Sequence, residues 1–320
     1  ETYLLKILGK EIHKINSPVY IFLDEIQLVP FWQDIIKRYY DLNQKIKFVV
    51  SGSSSLFIAE KAKESLAGRI FERYLAPLAF SEYQKLSRRS DSVEFLDFGQ
   101  FPELLNLQNK ERKIEYLKEG IIAKVLEIDV PKTYGIRKIY DFERLFWSLL
   151  PNAGQVIQSL KLASDLQMKK ATLFRYLHIL EKSLLLNKAL NFAGSFRSEK
   201  RLLRKLYPGS ANFLSVSPDL INIGFKAEAY VCSLLRQTRK PVYLYHQRGK
   251  EIDFLLPDQK IALEVKFQGH IFKSDYSFME SFVVKKGYKG VLLTRDEDKL
   301  LSKNIRAVSF ENWEKEIKRF

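Results

Sequence analysis

The chain has 320 residues, 46% hydrophobic and 13% aromatic, enough apolar surface for two or three domain cores. No apolar run approaches the roughly 18 residues of a membrane-spanning helix. The single cysteine, Cys232, excludes an internal disulfide framework and fits a reducing cytoplasm, while His13, His178, His246 and His270 are too scattered for a zinc centre. Fifty-three Lys and Arg against 38 Asp and Glu give +15, which suits either a solvated lysine-rich surface or a polyanionic partner.

In chain order, residues 3–15 predict a helix, with Leu5, Leu8, Ile12 and Ile15 along one stripe. "NSP" ends it, and "VYIFL" (19–23) reads as a buried strand running into Asp24 and Glu25. "VPFWQDIIKRYYDL" predicts an amphipathic helix with Trp32, Ile35, Ile36 and Tyr39 on one face. "KIKFVVSGSSS" reads as a second buried strand ending in a small polar loop, and "RIFERYLAPL" as a third strand. Strands alternating with helices imply a mainly parallel α/β sheet. Residues 81–135 read as mostly helical.

From about 141 to 205 the pattern becomes helix, tight turn, helix, strand. Leu173, Leu177, Leu180 and Leu184 form the inward stripe of the second helix, and Lys170, Thr172, Arg175 and Tyr176 lie outward. This predicts a helix-turn-helix with "LLLNKALNF" opening a β-wing; the plainer alternative is a helical hairpin. Beyond 215 a third unit follows: helix 219–237, strands 242–246, 251–256 and 261–266, helix 274–286, strands "GVLLT" and "AVSF", and helix "ENWEKEIKR". No internal repeat is present, and residue 1 is Glu, so the chain is expected to be trimmed at its N-terminus.

The first chemical constellation is "IFLDEIQ". An apolar strand delivering two carboxylates suits a magnesium–nucleotide site, with Asp24 holding Mg²⁺ through water and Glu25 polarising the attacking water. After the next strand, Ser51 or Ser53 stands where a polar sensor touches the γ-phosphate. Arg69 in "SLAGR" is a candidate to neutralise transition-state charge across a subunit boundary, which would require a homo-oligomer. A strand ending in Asp-Glu is more often a plain acidic turn; the three pieces in this order weigh against that reading.

"YIFLDEIQLVPFWQDIIKRYYD", "FVVSGSSS", "ESLAGRIFE" and "LAPLAFSEY" resemble the archaeal and bacterial AAA+-like ATPases that carry a C-terminal domain of unknown function, DUF4143. The resemblance covers nearly the whole chain. It implies an ATPase core using ATP and Mg²⁺, a winged helix, and a C-terminal domain similar to PD-(D/E)XK nucleases. It also implies a phosphate loop, G-x-x-x-x-G-K-[ST], upstream of the Asp24 strand. Gly9-Lys10 is followed by Glu11, with Leu4 in the first glycine's place; Gly249-Lys250 is followed by Glu251, with Leu244 there. A phosphate loop, its helix and a crossover strand need on the order of 50 residues, and only 23 precede Asp24. Those segments are expected to be missing from this chain, which alone should bind ATP poorly.

The second constellation is "KEIDFLLPDQKIALEVKF". Asp253 lies on one strand and Glu264 and Lys266 on the next, where period-two alternation puts Glu264 and Lys266 on one face. Two carboxylates converging from adjacent strands can hold Mg²⁺ or Mn²⁺, with Lys266 orienting water, and Glu228 leans inward from the preceding helix. The order E…D…E-x-K resembles PD-(D/E)XK nucleases, including Holliday-junction resolvases, with Ile252 in place of the motif's proline. The plainer reading is a sheet with a charged outer face.

The sequence thus predicts a multidomain α/β chain: an incomplete parallel-sheet AAA+-like core with helical extension (1–140), a winged helix-turn-helix (141–210) and a restriction-endonuclease-like α/β domain (211–320). Nucleic acid, DNA in the first instance, is the expected partner, contacted by Lys170, Arg175, Arg197, Lys200, Arg201, Arg204 and Lys205; no membrane is expected. Three readings remain: an ATP-dependent nucleic-acid-binding protein, a Mg²⁺-dependent nuclease regulated by the ATPase, and a non-catalytic binding or interaction protein.

Overall fold

The computed structural model describes residues 5–6, 9, 11–26, 29–52, 66–71, 73, 75–192, 204–217, 221–238, 240–247 and 249–320. The chain is α/β and divides into two compact units. One comprises the described residues of 1–74 with 129–135, the other those of 75–128 with 136–320.

In the first unit, β1 (Val19–Leu23) and β2 (Ile46–Val50) pair in parallel, from Val19↔Ile46 to Leu23↔Val50. Their crossover carries α1 (Trp32–Leu42). The strands alternate: Val19, Ile21, Leu23, Ile46, Phe48 and Val50 turn toward the two small cores, which Trp32 and Ile36 of α1 and Ile12 and Ile15 complete. Tyr20 and Phe22 face outward, 63% and 74% exposed, so β1 is covered on one side where its apolar run suggests two. Ile35 is also exposed, because the inward stripe of α1 runs Trp32, Ile36, Tyr39 at helical spacing.

Two further expectations are corrected here. The helix over 3–15 is not continuous: Gly9 takes a left-handed φ of +62° and closes a turn back to Leu5, and only Ile12–Lys14 then forms a short 3-10 turn. The strand expected over 69–78 is absent among the described residues of that range; Phe71 and Leu75 are almost fully exposed and pair with no strand.

In the second unit, α2 (Phe80–Ser87) and α3 (Ser92–Phe98) lead into shorter helical pieces and a π-helix, Tyr116–Asp129. Next come α4 (Ile139–Leu149), β3 (Val156–Ile157), α5 (Ser159–Asp165), α6 (Lys170–Lys182), β4 (Leu186–Asn191) and β5 (Arg204–Pro208). The remainder is α7 (Ile223–Gln237), β6 (Tyr243–Gln247), β7 (Lys250–Leu256), β8 (Ile261–Lys266), α8 (Ser277–Lys286), β9 (Lys289–Thr294), β10 (Lys299–Ser302), β11 (Ile305–Ser309) and α9 (Trp313–Ile317). All nine strands β3–β11 belong to one mixed sheet, ordered β10-β11-β9-β8-β7-β6-β4-β5-β3. The antiparallel pair β4–β5 is therefore continuous with the C-terminal strands, through the parallel pairing of β4 with β6.

α8 packs Met279, Phe282 and Val283 against Ile252, Leu255, Ala262, Leu292 and Ile305 of the sheet. A second core is aromatic: Phe80, Tyr83, Phe95, Tyr230, Phe310 and Trp313 meet at ring-centroid distances of 4.7–6.1 Å. Glu314 enters this core and accepts from the Ser81 backbone N–H (2.9 Å), the Ser81 hydroxyl (2.6 Å) and the Tyr230 hydroxyl (2.8 Å). It thereby occupies orphan donors at the start of α2 from a remote helix. In α6, Leu173, Leu177 and Leu180 are buried as expected from the stripe. Leu184 lies past the helix end at φ +63° and is partly exposed, and Tyr176 is buried edge-on against Phe142 (5.2 Å), not outward.

Candidate functional sites

At the end of β1, the chain turns with Glu25 in the left-handed region, φ +50°. Asp24 immediately follows the strand, at the carboxyl end of the parallel pair, where α/β sheets hold ligands. Its Oδ1 accepts from the Ser51 hydroxyl (2.6 Å) and from the Glu25 backbone N–H (3.0 Å). These two bonds, the Ser51 hydroxyl first, hold the Asp24 carboxyl below its ordinary range, so it stays ionised in open solvent. Ser51 is pinned because its N–H bonds the Leu23 carbonyl (3.0 Å) and its carbonyl accepts from Ile26 N–H (3.2 Å). Arg69 ion-pairs with Asp41 (3.0 Å), at the end of α1. Ser53 lies outside the described residues. An exposed, ionised aspartate oriented by a hydroxyl fits outer-sphere magnesium holding, since Mg²⁺ keeps several waters and takes one or two carboxylates.

The second unit assembles a buried charged cluster. Glu228 descends from α7, Glu251 and Asp253 from β7, and Glu264 and Lys266 from β8. The register between β6 and β7 shifts from Tyr243↔Leu255 to Tyr245↔Ile252, so β7 carries one extra residue, a bulge at Asp253–Phe254. Asp253 Oδ2 then accepts from the Val265 backbone N–H (2.9 Å). Its Oδ1 faces the Lys205 ammonium at 3.4 Å.

Lys205 is the residue the sequence reading misplaced. Expected on a nucleic-acid-binding surface, it is only 2% exposed on β5. Its Nζ lies 2.6 Å from Glu251 Oε1, 3.0 Å from Glu228 Oε1 and 3.4 Å from Asp253 Oδ1. Burial disfavours its charge, but the charges of Asp253, Glu228 and Glu251 outweigh that and raise its pKa. Tyr207, two residues along the strand and so on the same face, donates its hydroxyl to Glu228 Oε1 (2.5 Å). Neither Glu251 nor Tyr207 was singled out in the sequence; reading "RKLYP" as a buried strand would have paired Lys205 with Tyr207.

Burial first, and then the charge of Asp253, raise both remaining acids: Glu228 to about 7, against the opposing pull of Lys205 and Tyr207, and Glu264 to about 8, against Lys266. Lys266 Nζ sits 3.0 Å from Glu264 Oε1, while Glu264 Oε2 is buried without a partner. A divalent cation does not fit this cluster as it stands. It needs carboxylate oxygens at about 2.0–2.1 Å, and the point where three of them converge is filled by an ammonium; among the described residues no group of three His, Cys, Asp or Glu is placed to hold a metal.

Of the other basic residues, Lys170 and Arg175 are exposed on α6, with Lys170 near the Phe174 ring (6.0 Å). Arg197, Lys200 and Arg201 lie outside the described residues, as does the side chain of Arg204. No described helix is long and apolar enough to cross a membrane.

The first site lies in a segment that matches a known family model. Residues 1–84 match the model of an AAA domain, which supports an AAA-like ATPase domain there. Residues 89–208 match a domain of unknown function, DUF8612; the DUF4143 domain expected over 211–320 is not shown. The chain is 21% identical to an uncharacterised protein of Haemophilus influenzae, over 90% of this chain and 75% of the relative. It is 27% identical to each of two uncharacterised proteins of Methanocaldococcus jannaschii, MJ1544 (76% of this chain, 59% of the relative) and MJ1637 (61% and 48%). It thus spans about half to three quarters of the length of these relatives. No solved structure matches it.

Proposed function

We propose that this chain is part of an ATP-dependent, nucleic-acid-binding AAA+-like protein. The observation that carries the reading is Asp24: exposed, held ionised, and fixed by Ser51 at the carboxyl end of a parallel strand pair inside the segment that matches an AAA domain. When bound, Mg²⁺ would supply charge neutralisation on the phosphates. Asp24 would hold it through water, Glu25 would orient the attacking water, and Ser51, with Ser53, would sense the γ-phosphate. Arg69 would act across a subunit boundary after leaving its pair with Asp41.

The nucleic-acid part of the reading rests on residues 139–208. Two helices, α5 and α6, meet at a tight turn, and β4 and β5 follow beside β3, which supports reading this segment as a winged helix. Lys170 and Arg175 on α6 would contact phosphate, joined by Arg197, Lys200, Arg201 and Arg204. Residues 211–320 would then be a nuclease-like fold used as a scaffold; the ammonium among its carboxylates favours binding over metal-dependent cleavage.

The test is ATP hydrolysis by the full-length protein. Wild type should hydrolyse ATP with Mg²⁺, Glu25→Gln should bind nucleotide yet lose turnover, and Asp24→Asn should lose both Mg²⁺ dependence and turnover. Hydrolysis unaffected by either substitution would sink the assignment.

A further inference from the structure

We propose that Lys205 is the resident cation of the C-terminal acid cluster: its ammonium takes the position a divalent metal would take among Glu228, Glu251 and Asp253, and so keeps the native chain metal-free there. The geometry is specific. Three carboxylate oxygens from two elements converge on one nitrogen at 2.6, 3.0 and 3.4 Å, and that nitrogen comes from a third element, β5. A surface lysine would not hold such a place: burying an ammonium costs several kcal/mol unless charged acceptors surround it, on the order of the penalties known for buried ions.

Two observations separate this from an ordinary ion pair. The carboxylates that touch Nζ come from two elements, Glu228 from α7 and Glu251 with Asp253 from β7, so the lysine ties β5 to both. A buried acceptor, Glu264 Oε2, also lacks a partner at the next position along the cluster, where Asp253 is the shared neighbour. The cluster therefore has the acidic wealth of a cation site, and its central position is already filled by the chain itself. Removing the ammonium while keeping its aliphatic volume should leave uncompensated carboxylates able to close on a metal ion. The inference is independent of the ATPase reading, since it concerns only the second unit.

The experiment is titration of Mn²⁺, without nucleotide, into the wild-type chain and into Lys205→Met, Asp253→Asn and Glu264→Gln variants, by calorimetry and by Mn²⁺ electron paramagnetic resonance. Wild type should show no saturable binding that Asp253→Asn or Glu264→Gln removes. Lys205→Met should bind about one ion per chain and gain melting temperature with Mn²⁺. Wild-type binding that Asp253→Asn abolishes would overturn the proposal, and so would a folded Lys205→Met chain that takes up no ion. Should Lys205→Met not fold with or without Mn²⁺, the wild-type and Asp253→Asn titrations decide alone: identical traces support the resident cation, and a difference refutes it.

Discussion

Asp24 and Asp253 are both presented by strands, but in opposite settings. Asp24 stands in solvent, its charge held by one hydroxyl and one N–H. Asp253 is buried, both oxygens committed, one to a backbone N–H and one to an internal ammonium. A carboxylate meant to meet a soluble cation is best left hydrated and oriented; one meant to tie a fold together is neutralised from within. The comparison separates a site open for exchange from a site closed by the chain.

Breaking the closed site should produce the largest effect. Lys205→Ala would strand Glu228 and Asp253 without a counter-charge, a loss of about 3–5 kcal/mol, read as a lower urea midpoint. Lys205→Arg should cost less, because charge is retained. Next comes Glu314→Ala, which leaves three donors around Ser81 and Tyr230 unsatisfied. It should cost about 1–3 kcal/mol, seen as a lower melting temperature with no change at the first unit's site.

The pH response sharpens the contrast. Glu228 and Glu264 have folded pKa values raised from 4.5 to about 7 and about 8. Their contribution is present in full below about 4.5, where both states are protonated alike, and is lost as pH rises through the folded values. Urea midpoints should therefore fall between pH 5 and pH 8.5, and Glu264→Gln should flatten that slope. A midpoint that rises over this window would contradict the burial of these acids. At the open site, Asp24→Asn should leave the urea midpoint unchanged while altering nucleotide response. The smallest structural effect is expected from Lys170→Glu with Arg175→Glu, which should leave folding intact. DNA affinity should drop and the salt slope should fall by about 0.7–0.9 per lost phosphate contact.

Much of this was legible. Runs such as "IKFVV" and "IALEV" announce strands through short stretches rich in β-branched and other apolar residues, and the first strand's delivery of Asp24 to a sheet edge follows from a turn directly after "VYIFL". Glu228, Asp253, Glu264 and Lys266 were singled out from strand parity, the helix face of Glu228 and the resemblance of their order to E…D…E-x-K nucleases, and the structure brings them into one neighbourhood. Lys205 was not legible as an internal residue because its burial depends on β4 pairing with β6 across a gap of more than 50 residues in sequence, a long-range pairing that local charge patterning hides. In the sequence it stands in a basic run and looks like surface. The strand expected over 69–78 rests on strand-like residues in "RIFERYLAPL", but among the described residues of that range none pairs with a strand.

The open site is expected to take the metal and the closed one not. Backbone-amide NMR of the full-length protein with Mn²⁺ and ATP tests it most directly, because the paramagnetic ion broadens only signals near it. Broadening is expected at Asp24, Glu25 and Ser51, with Glu228, Asp253 and Glu264 unaffected. Broadening around Asp253 and Glu264, with Asp24 sharp, would contradict it.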